Sequence, residues 1–358
     1  MKGSTDFEVR ENAGEGSGGI AYIPTMADVA ALAGVSTATV SRVIHGSVKV
    51  RPVTRAKVQE AVRQLGYMPH PVAQQLASGK TQVIGVIVNT VENPVSAAVI
   101  QGVEDALSQN GYRLLLGNSY YRADLEEKLI RTYTSLCTAG IISVGTWLDG
   151  HFFSRLPSNH VPIVLINPEG KHPSPSAFPT IRTDGLLGGQ LAGRHLIGLG
   201  HHRIGYIGRK PVGELQRLRF EGLKKALEEA GLKLDPALVV DGGPGPRAGN
   251  EGIERLLAQG KVPTAVFCYH DLTAFGVMEA LNEAGLSVPE DVSVVGFDDI
   301  FVSRYLHLTT LAQPFVRMGR LAAQILLEGL SGEMRLADIV VIPELIVRGS
   351  TGPCHTDE

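Results

Sequence analysis

Cysteine is scarce in this chain of 358 residues. The three cysteines, Cys137, Cys268 and Cys354, are too few and too scattered to form a disulfide framework or a metal cluster. No run of about 18 apolar residues occurs, so no membrane-spanning helix is predicted. The N-terminal residues also lack the apolar core of a signal peptide. These absences predict a soluble protein of the reducing cytoplasm with no membrane partner.

Signatures of common cofactor enzymes are missing as well. The glycines at positions 185, 188, 189 and 193 do not form GxGxxG after a strand, and no phosphate-binding P-loop occurs. His201 and His202 have no further ligand-type residues at a spacing useful for a metal. No pairing of a nucleophile with a base can be argued from the sequence. We therefore predict a protein that is not an enzyme and that needs no metal or cofactor.

The most informative stretch is residues 25–45, TMADVAALAGVSTATVSRVIH. Apolar residues recur there at helical spacing on both sides of a break: Val29, Ala30 and Leu32, then Val40, Val43 and Ile44. Gly34 can adopt the left-handed backbone that ends a first helix, and Ser36 is a good N-cap for a second. The pattern predicts helix, tight turn and helix, with these apolar residues facing inward.

The outward face of the second helix then carries Thr37, Ala38, Ser41 and Arg42. Helix-turn-helix proteins place the start of this helix in the major groove of DNA. Small or hydroxylated side chains there meet thymine methyl groups and base edges, and arginine can bind guanine with two hydrogen bonds. We predict that Thr37, Ala38 and Arg42 read base edges. The alternative is an ordinary pair of helices with a solvated face.

A third helix is predicted within residues 46–68, with Pro52 in its first turn and Gly66 at its end. Its expected buried stripe is Val53, Val58, Ala61, Val62 and Leu65. Residues 24–82 contain seven Lys or Arg against two acids, which gives +5, whereas the whole chain carries −3. A basic segment on an otherwise acidic chain favours one localised surface for phosphate groups.

The run DVAALAGVSTATVSRVIHG, followed by GYMPHPVAQQLASGKTQVIGVIV, resembles the DNA-binding headpiece, hinge helix and first core strand of the LacI/GalR transcription regulators. In the hinge, the resemblance implies that Leu76, with Ala73 beside it, wedges a base step in the minor groove. A flexible linker in which Leu76 has no such role is the alternative. The predicted DNA-contacting residues are Thr25, Ser36, Thr37, Ala38, Thr39, Ser41, Arg42, His45, Tyr67, Ala73 and Leu76.

After residue 82, strand and helix patterns alternate in two successive series, which predicts an α/β core of two doubly wound lobes. The resemblance implies that this core is periplasmic-binding-protein-like, with parallel sheets, behind a small all-α helix-turn-helix headpiece. The predicted domains are a disordered tail (1–23), the headpiece (24–68), the hinge (69–81), the core (82–352) and a C-terminal tail (353–358). Within the core we expect an N-lobe of about 82–182 and 312–338, and a C-lobe of about 183–311 and 339–352.

Folds of this class bind ligands at the carboxyl ends of strands, and in a two-lobed core the cleft lies between the lobes. The predicted effector-binding residues are Asn93, Val95, Ser96, Trp147, Asn167, Asp184, Arg219, His270 and Asp298. Arg219 and Asp298 match the family's effector-binding arginine and acid, but a structural ion pair and a helix N-cap are the respective alternatives. Trp147 could stack on a sugar or belong to the core, and His270 could be a satisfied polar residue.

Many family members carry an aromatic residue after the first core strand, where this chain reads Asn93-Pro94-Val95-Ser96. The loss of that stacking wall favours a sugar or sugar-derived acid over a purine. The resemblance implies a homodimer or higher oligomer that binds a pseudo-palindromic double-stranded DNA operator, expected as a repressor controlled by a small-molecule effector. The alternative is a sugar-binding receptor or transport component with the same core, which would need export.

Overall fold

The computed structural model describes residues 24–44, 49–68, 81–136, 138–156, 161–170, 178–208, 213–243, 245–333 and 336–355. The chain divides into two units, Met1–Lys80 and Thr81–Glu358. The predicted tail 1–23, residues 45–48, and residues 69–80 of the predicted hinge 69–81 lie outside the described residues. The predicted DNA-contacting residues His45, Ala73 and Leu76 therefore lie outside them too.

The first unit contains the helices α1 (Met26–Ala33), α2 (Thr37–Ile44) and α3 (Pro52–Leu65). Gly34 ends α1 in the left-handed conformation, with φ of 64°. The Ser36 hydroxyl accepts a hydrogen bond from the Thr39 amide at 3.3 Å and caps α2. Pro52 occupies the first turn of α3, and Gly66 ends it in the left-handed conformation. The predicted helix-turn-helix and third helix are confirmed.

The core of this unit is formed by eight buried residues from all three helices and the segment after α3: Val29, Ala30, Ala33, Val40, Val43, Val58, Ala61 and Tyr67. Two residues predicted to face inward are exposed instead, Leu32 by 51% and Val53 by 71%. Val29, Ala30 and Ala33 form the narrow buried stripe of α1, and Leu32 lies beside it. Val53 lies in the first turn of α3, ahead of the buried residues of that helix.

The second unit alternates strands and helices. In chain order these are β1 (Val83–Val88), α4 (Pro94–Gln109), β2 (Arg113–Asn118), α5 (Ala123–Ser135), β3 (Gly140–Val144), α6 (Gly150–Ser154), β4 (Ile163–Ile166), β5 (Thr180–Thr183), α7 (Gly185–Gly198), β6 (Ile204–Gly208), α8 (Glu214–Glu229), β7 (Val239–Asp241), α9 (Pro246–Ala258), β8 (Ala265–Cys268), α10 (Asp271–Glu283), β9 (Ser293–Asp298), β10 (Thr309–Ala312), α11 (Phe315–Leu330), β11 (Asp338–Val341) and β12 (Glu344–Ile346).

These strands form two sheets with the same winding order. The N-lobe sheet runs β11-β5-β4-β3-β1-β2, and the C-lobe sheet runs β12-β10-β9-β8-β6-β7. All neighbours are parallel except β10 and β12, which are antiparallel. In each sheet the order reverses beside the first strand, and such reversal points open a crevice at the carboxyl ends of the strands. The predicted pair of doubly wound lobes is confirmed.

Strand β1 is packed on both faces, and this explains its continuous run of apolar residues. Ile84, Val86 and Val88 pack into the cluster that contains residues of α4 and α11, whereas Ile87 packs with Tyr133 of α5 in a second cluster. Side chains alternate between the faces of a sheet, and both faces here are covered by helices. A strand in this position therefore has to be apolar at nearly every residue.

The chain crosses between the lobes near three positions: Asp184, Gln313–Pro314 and Ile342–Pro343. The first two crossings lie within about two residues of the predicted lobe boundaries. The third predicted boundary, between residues 338 and 339, is three residues too early. Residues 339–341 belong to β11, which pairs in parallel with β5 of the N-lobe sheet. The C-lobe segment therefore begins after Val341.

Three pairs of helices approach so closely that each helix contributes a glycine facing the partner's backbone. A Cβ atom on any of these glycines would clash with a backbone carbonyl oxygen of the partner helix. The pairs are Gly102 with Gly319 (α4 and α11), Gly189 with Gly222 (α7 and α8) and Gly249 with Gly276 (α9 and α10). The second pair fixes the position of α8, which carries residues of the site described below.

Within the described part of the chain, no single helix is long and apolar enough to cross a membrane. Helices α1 and α2 meet a test of length and composition only when they are taken together, and they are bent by 103° at the turn between them. Among the same residues, no three His, Cys, Asp or Glu side chains are grouped so that they could hold a metal ion.

Candidate functional site

The start of α2 presents the side chains predicted to read DNA. Ser36, Thr37, Ala38 and Arg42 are exposed, and Thr39 and Ser41 are half-buried, whereas Val40 and Val43 on the opposite side are buried. The face is thus small, hydroxylated and basic, as a major-groove surface requires.

Thr25 and Tyr67, two further residues predicted to contact DNA, lie outside α2. Thr25 is exposed, and it forms a capping box with Asp28, whose carboxylate accepts the Thr25 amide at 2.8 Å. Tyr67 is only 7% exposed and packs in the core, because its amide bonds to the Val62 carbonyl and folds the chain back after Gly66. Tyr67 is thus part of the core of this unit, and its contact with DNA stays a prediction.

In the second unit, a cleft of about 820 Å³, part of it open to solvent, is lined by residues of both lobes. Eight of the predicted effector-binding residues line it: Asn93, Val95, Ser96, Trp147, Asn167, Arg219, His270 and Asp298. Asp184 does not. Its carboxylate instead accepts the Leu187 amide at 2.9 Å and caps α7 at the first crossing.

The cleft also contains lining residues that the sequence pattern did not single out. The polar and aromatic ones are Asn89, Tyr121, Glu169, Gln216, Tyr269, Gln313 and Phe315. Tyr121 follows the end of β2, and Tyr269 follows the end of β8. The rule that ligands bind at the carboxyl ends of strands therefore applies to both residues. With Trp147 and Phe315 they supply an aromatic lining. The cleft therefore contains aromatic side chains able to stack on a ligand, although Val95 replaces the family's aromatic residue. The preference for a sugar over a purine rested on the loss of that residue, and it no longer follows.

Arg219 and Asp298 form a buried pair in the cleft. One terminal nitrogen of the guanidinium, Nη2, lies 3.7 Å from Asp298 Oδ1, and the other, Nη1, donates to the Tyr269 carbonyl oxygen. The guanidinium carbon lies 3.7 Å from the centroid of the Phe297 ring, in a cation–π contact. These three contacts fix the plane of the guanidinium before any ligand binds.

Asp298 has an unusual backbone and an unusual acidity. Its φ is 125°, and its Oδ1 accepts a hydrogen bond from Gln313 Nε2 at 2.6 Å. Burial raises the pKa of Asp298 to about 8, with Asp271 and Glu169 adding to the rise while Arg219 and Gln313 oppose it. The carboxyl group is therefore a proton donor and acceptor near neutral pH.

This raised pKa predicts how stability depends on pH. Between the ordinary value of 3.8 and about 8, the folded chain holds a proton at Asp298 that the unfolded chain has released. The free energy of unfolding should therefore fall as pH rises through this window. Asp298→Asn removes the titration, so the parent should lose up to ~1.4 kcal/mol per pH unit relative to the variant. Urea unfolding at several pH values measures both slopes, and equal slopes would contradict the raised pKa.

His270 is held as a neutral donor. Its Nδ1 accepts the Thr273 amide at 3.0 Å and caps α10, so the ring proton resides on Nε2. Burial, and then the charge of Arg219, lower the pKa of His270 to about 3. His270 is therefore a satisfied helix cap whose ring proton lies on Nε2, and the residue lines the cleft.

Gln313 connects the two lobes at the second crossing. Its Oε1 accepts Asn167 Nδ2 at 3.4 Å at the end of β4, and its Nε2 donates to Asp298 at the end of β9. Asn167 is held in turn by the Thr183 amide, which donates to its Oδ1 at 2.8 Å. One amide side chain thus links strand ends of the N-lobe and the C-lobe.

The Trp147 loop is organised by the buried carboxylate of Glu126. This carboxylate accepts the Ser143 hydroxyl at 2.7 Å and the Trp147 amide at 3.2 Å. Burial raises the pKa of Glu126, although these hydrogen bonds oppose the rise. Glu126 therefore holds the backbone of the loop that carries Trp147, and the Trp147 residue lines the cleft.

Comparisons with known proteins agree with this architecture. The family model described as bacterial regulatory proteins, lacI family, matches residues 25–70, and a periplasmic binding protein-like domain matches residues 194–351. The HTH-type transcriptional repressor PurR of Haemophilus influenzae (strain PittEE) is 38% identical over 338 residues, which cover 91% of this chain and 98% of PurR.

Two solved structures are similar over nearly the whole chain. The lac repressor dimer bound to operator and the anti-inducer ONPF has a TM-score of 0.81 and 28% identity, covering 92% of this chain and 100% of that one. The complex of the transcriptional regulator CelR with cellobiose has a TM-score of 0.68 and 31% identity, covering 91% and 99%.

A helix-turn-helix unit followed by a two-lobed α/β core with a polar cleft defines the class of DNA-binding transcription regulators that respond to a small molecule. Within that class, the chain belongs to the LacI family of bacterial regulatory proteins. The resemblance found in residues 28–46 and 66–88 and the predicted fold class are thereby confirmed.

Proposed function

We propose that this regulator is a repressor that reads its operator through Thr37, Ala38 and Arg42 and that releases or binds DNA in response to a sugar or sugar derivative. The observation that carries the DNA-reading part is the exposed face of α2, where small, hydroxylated and basic side chains stand opposite a buried apolar stripe. Helix-turn-helix proteins use this surface for direct contact with base edges.

The operator is proposed to be pseudo-palindromic and the protein a homodimer, because each headpiece of a two-fold dimer reads one half-site. The similar lac repressor is a dimer on its operator, which supports this assembly. Effector binding would change the closure of the lobes, and the resulting coupling free energy would be roughly 1–3 kcal/mol.

A sugar suits the chemistry of the cleft. Asp298, Arg219 and His270 offer acceptors and donors for hydroxyl groups, and Trp147 and Tyr269 offer faces for the apolar side of a sugar ring. The similar regulator CelR was solved with cellobiose, which supports this class of ligand. The similar PurR of Haemophilus influenzae is a transcriptional repressor, which supports a binding function, and we propose no enzymatic one.

Selection of random double-stranded DNA on the full chain at physiological salt should recover one pseudo-palindrome. On that DNA, Arg42→Ala should weaken binding by about 10- to 100-fold and relax the preference at one base pair of each half-site, because a bidentate contact to guanine is lost. Binding is measured by titration on the selected site and on single-base variants of it.

The matched control is Arg63→Ala, which removes an equal charge from the exposed face of α3, where Arg63 pairs with Glu60. This variant should retain the base preference. An unchanged preference in Arg42→Ala would show that α2 is not the reading helix. Recovery of no preferred sequence by the parent would favour a ligand receptor without a DNA function.

A further inference from the structure

Gln216 Oε1 and Arg219 Nε are buried polar atoms on the lining of the cleft that have no hydrogen-bond partner among the described residues. Their residues are only 4% and 6% exposed. Buried polar atoms are nearly always paired, and leaving one unpaired costs folding free energy. An unpaired acceptor and an unpaired donor on the wall of one cleft are therefore positions at which a ligand would supply the missing partners.

The two atoms belong to the same surface of α8. Gln216 and Arg219 are three residues apart near the start of that helix, so their side chains leave the same face one turn apart. Of the other two guanidinium nitrogens of Arg219, Nη1 donates to the Tyr269 carbonyl oxygen and Nη2 lies 3.7 Å from Asp298 Oδ1. The single N–H of Nε has no partner among the described residues, and it is a donor on the same face of α8 as the acceptor Gln216 Oε1.

The charges of the described lining residues argue against an anion. Arg219 is the cation among them, and two carboxyl groups, Asp298 and Glu169, line the same cleft. His270 is neutral, because its Nδ1 is occupied by the Thr273 amide. Whichever protonation state Asp298 adopts, these residues leave no surplus positive charge, so an anionic ligand would lose its hydration without gaining a counter-ion.

We propose that Gln216 is a specificity-determining residue of this cleft, and that Gln216 and Arg219 together bind a neutral ligand through a hydrogen-bond donor adjacent to an acceptor. Two neighbouring hydroxyl groups of a sugar have this arrangement, and so does the N–H beside the carbonyl of a cyclic amide. The inference rests on the proposal that the cleft is the effector site. It narrows the effector from a sugar or sugar-derived acid to an uncharged compound.

The test uses the full chain and probes in pairs that share a ring but differ in one carboxylate. Suitable pairs are D-glucose with D-glucuronate, D-galactose with D-galacturonate, and uracil with orotate. A neutral member should raise the midpoint of thermal unfolding, because it binds the folded chain, whereas its carboxylate partner should not. A carboxylate that binds more tightly than its neutral partner would overturn the proposal.

For the neutral probe that binds best, Gln216→Leu should raise the dissociation constant by about 10-fold, because the acceptor is lost at constant side-chain size. Analogues of that probe lacking one donor give the sharper readout. One analogue should bind the parent about 10-fold more weakly, yet bind Gln216→Leu within about 2-fold of the complete probe. A merely structural role of Gln216 would not produce this coupling to a single ligand group.

The matched control is Gln190→Leu, which alters a buried glutamine of α7 whose side chain bonds to Glu229 and does not line the cleft. Equal ligand affinities of the two variants would overturn the role of Gln216. Binding of uracil alone, with the Gln216 coupling intact, would make the sugar effector wrong and leave the inference standing. Failure of every neutral probe would contradict both.

Discussion

Replacing Gly222 with alanine is expected to lower the free energy of unfolding of the core by roughly 3 kcal/mol, the effect of forcing an atom into a packed interface. A Cβ at this position would clash with the Leu186 carbonyl oxygen and would lie 2.9 Å from the Gln190 amide and from the Gly189 Cα. All three obstacles are backbone atoms of α7, so no side chain can rotate to make room. Urea unfolding of the parent and the variant measures the loss.

The variant should also bind ligand more weakly, because α8 has to move away from α7 to relieve the clash. That helix carries Gln216 and Arg219, and displacement of binding groups by about 1 Å is enough to weaken a preorganised site severely. Gly198→Ala is the matched control in α7, since a Cβ there meets nothing within 4 Å. It should leave ligand binding unchanged and stabilise the chain by up to ~1 kcal/mol. Equal midpoints for the two variants would contradict the close approach of the helices.

The headpiece could be predicted from sequence because its signals are local. The left-handed Gly34, the Ser36 cap and the placement of Pro52 each depend on a few neighbouring residues, and the structure has all three. Leu32 was wrongly predicted to face inward for a different reason. Helical periodicity gives the direction of the buried stripe but not its width, and it does not say where the chain turns after a helix ends.

The cleft was predicted where topology alone determines position. Carboxyl ends of parallel strands meet at one edge of a sheet, so Asn167, His270 and Asp298 could be named without coordinates. Asp184 follows a strand too, but its carboxylate turns to the helix that begins beside it. Gln216 lies on a helix, and its place on the lining depends on how closely α8 packs against α7. That packing is a tertiary property with no local sequence signal.

Gln313 illustrates the same limit at a lobe crossing. Its contacts with Asn167 and Asp298 join residues 146 and 15 positions away in the sequence. No periodicity or motif relates these three residues, because they meet only when both lobes are folded. The residues most directly able to couple the lobes are thus the ones that a single sequence reveals least.

Asp271→Ala is expected to destabilise the core by roughly 4 kcal/mol, because it leaves several buried donors without an acceptor at once. The Asp271 side chain is fully buried, and its Oδ2 accepts the Ile300 amide at 2.9 Å and the Ser303 hydroxyl at 2.6 Å. Its Oδ1 accepts the Thr310 hydroxyl. One carboxylate therefore ties the start of α10 to the segment after β9 and to β10.

Asp271→Asn provides the comparison that separates hydrogen bonding from packing. The amide oxygen can still accept from Ile300 and Ser303, and the amide nitrogen can donate to the Thr310 hydroxyl, which can reverse its role. The asparagine variant should therefore lose only about 1 kcal/mol of the free energy of unfolding.

Since the Ile300 segment directly follows Asp298, the alanine variant should also weaken ligand binding more than the asparagine variant does. Urea unfolding and ligand titration rank the variants, and an alanine variant as stable as the asparagine one would show that these hydrogen bonds do not hold the segment.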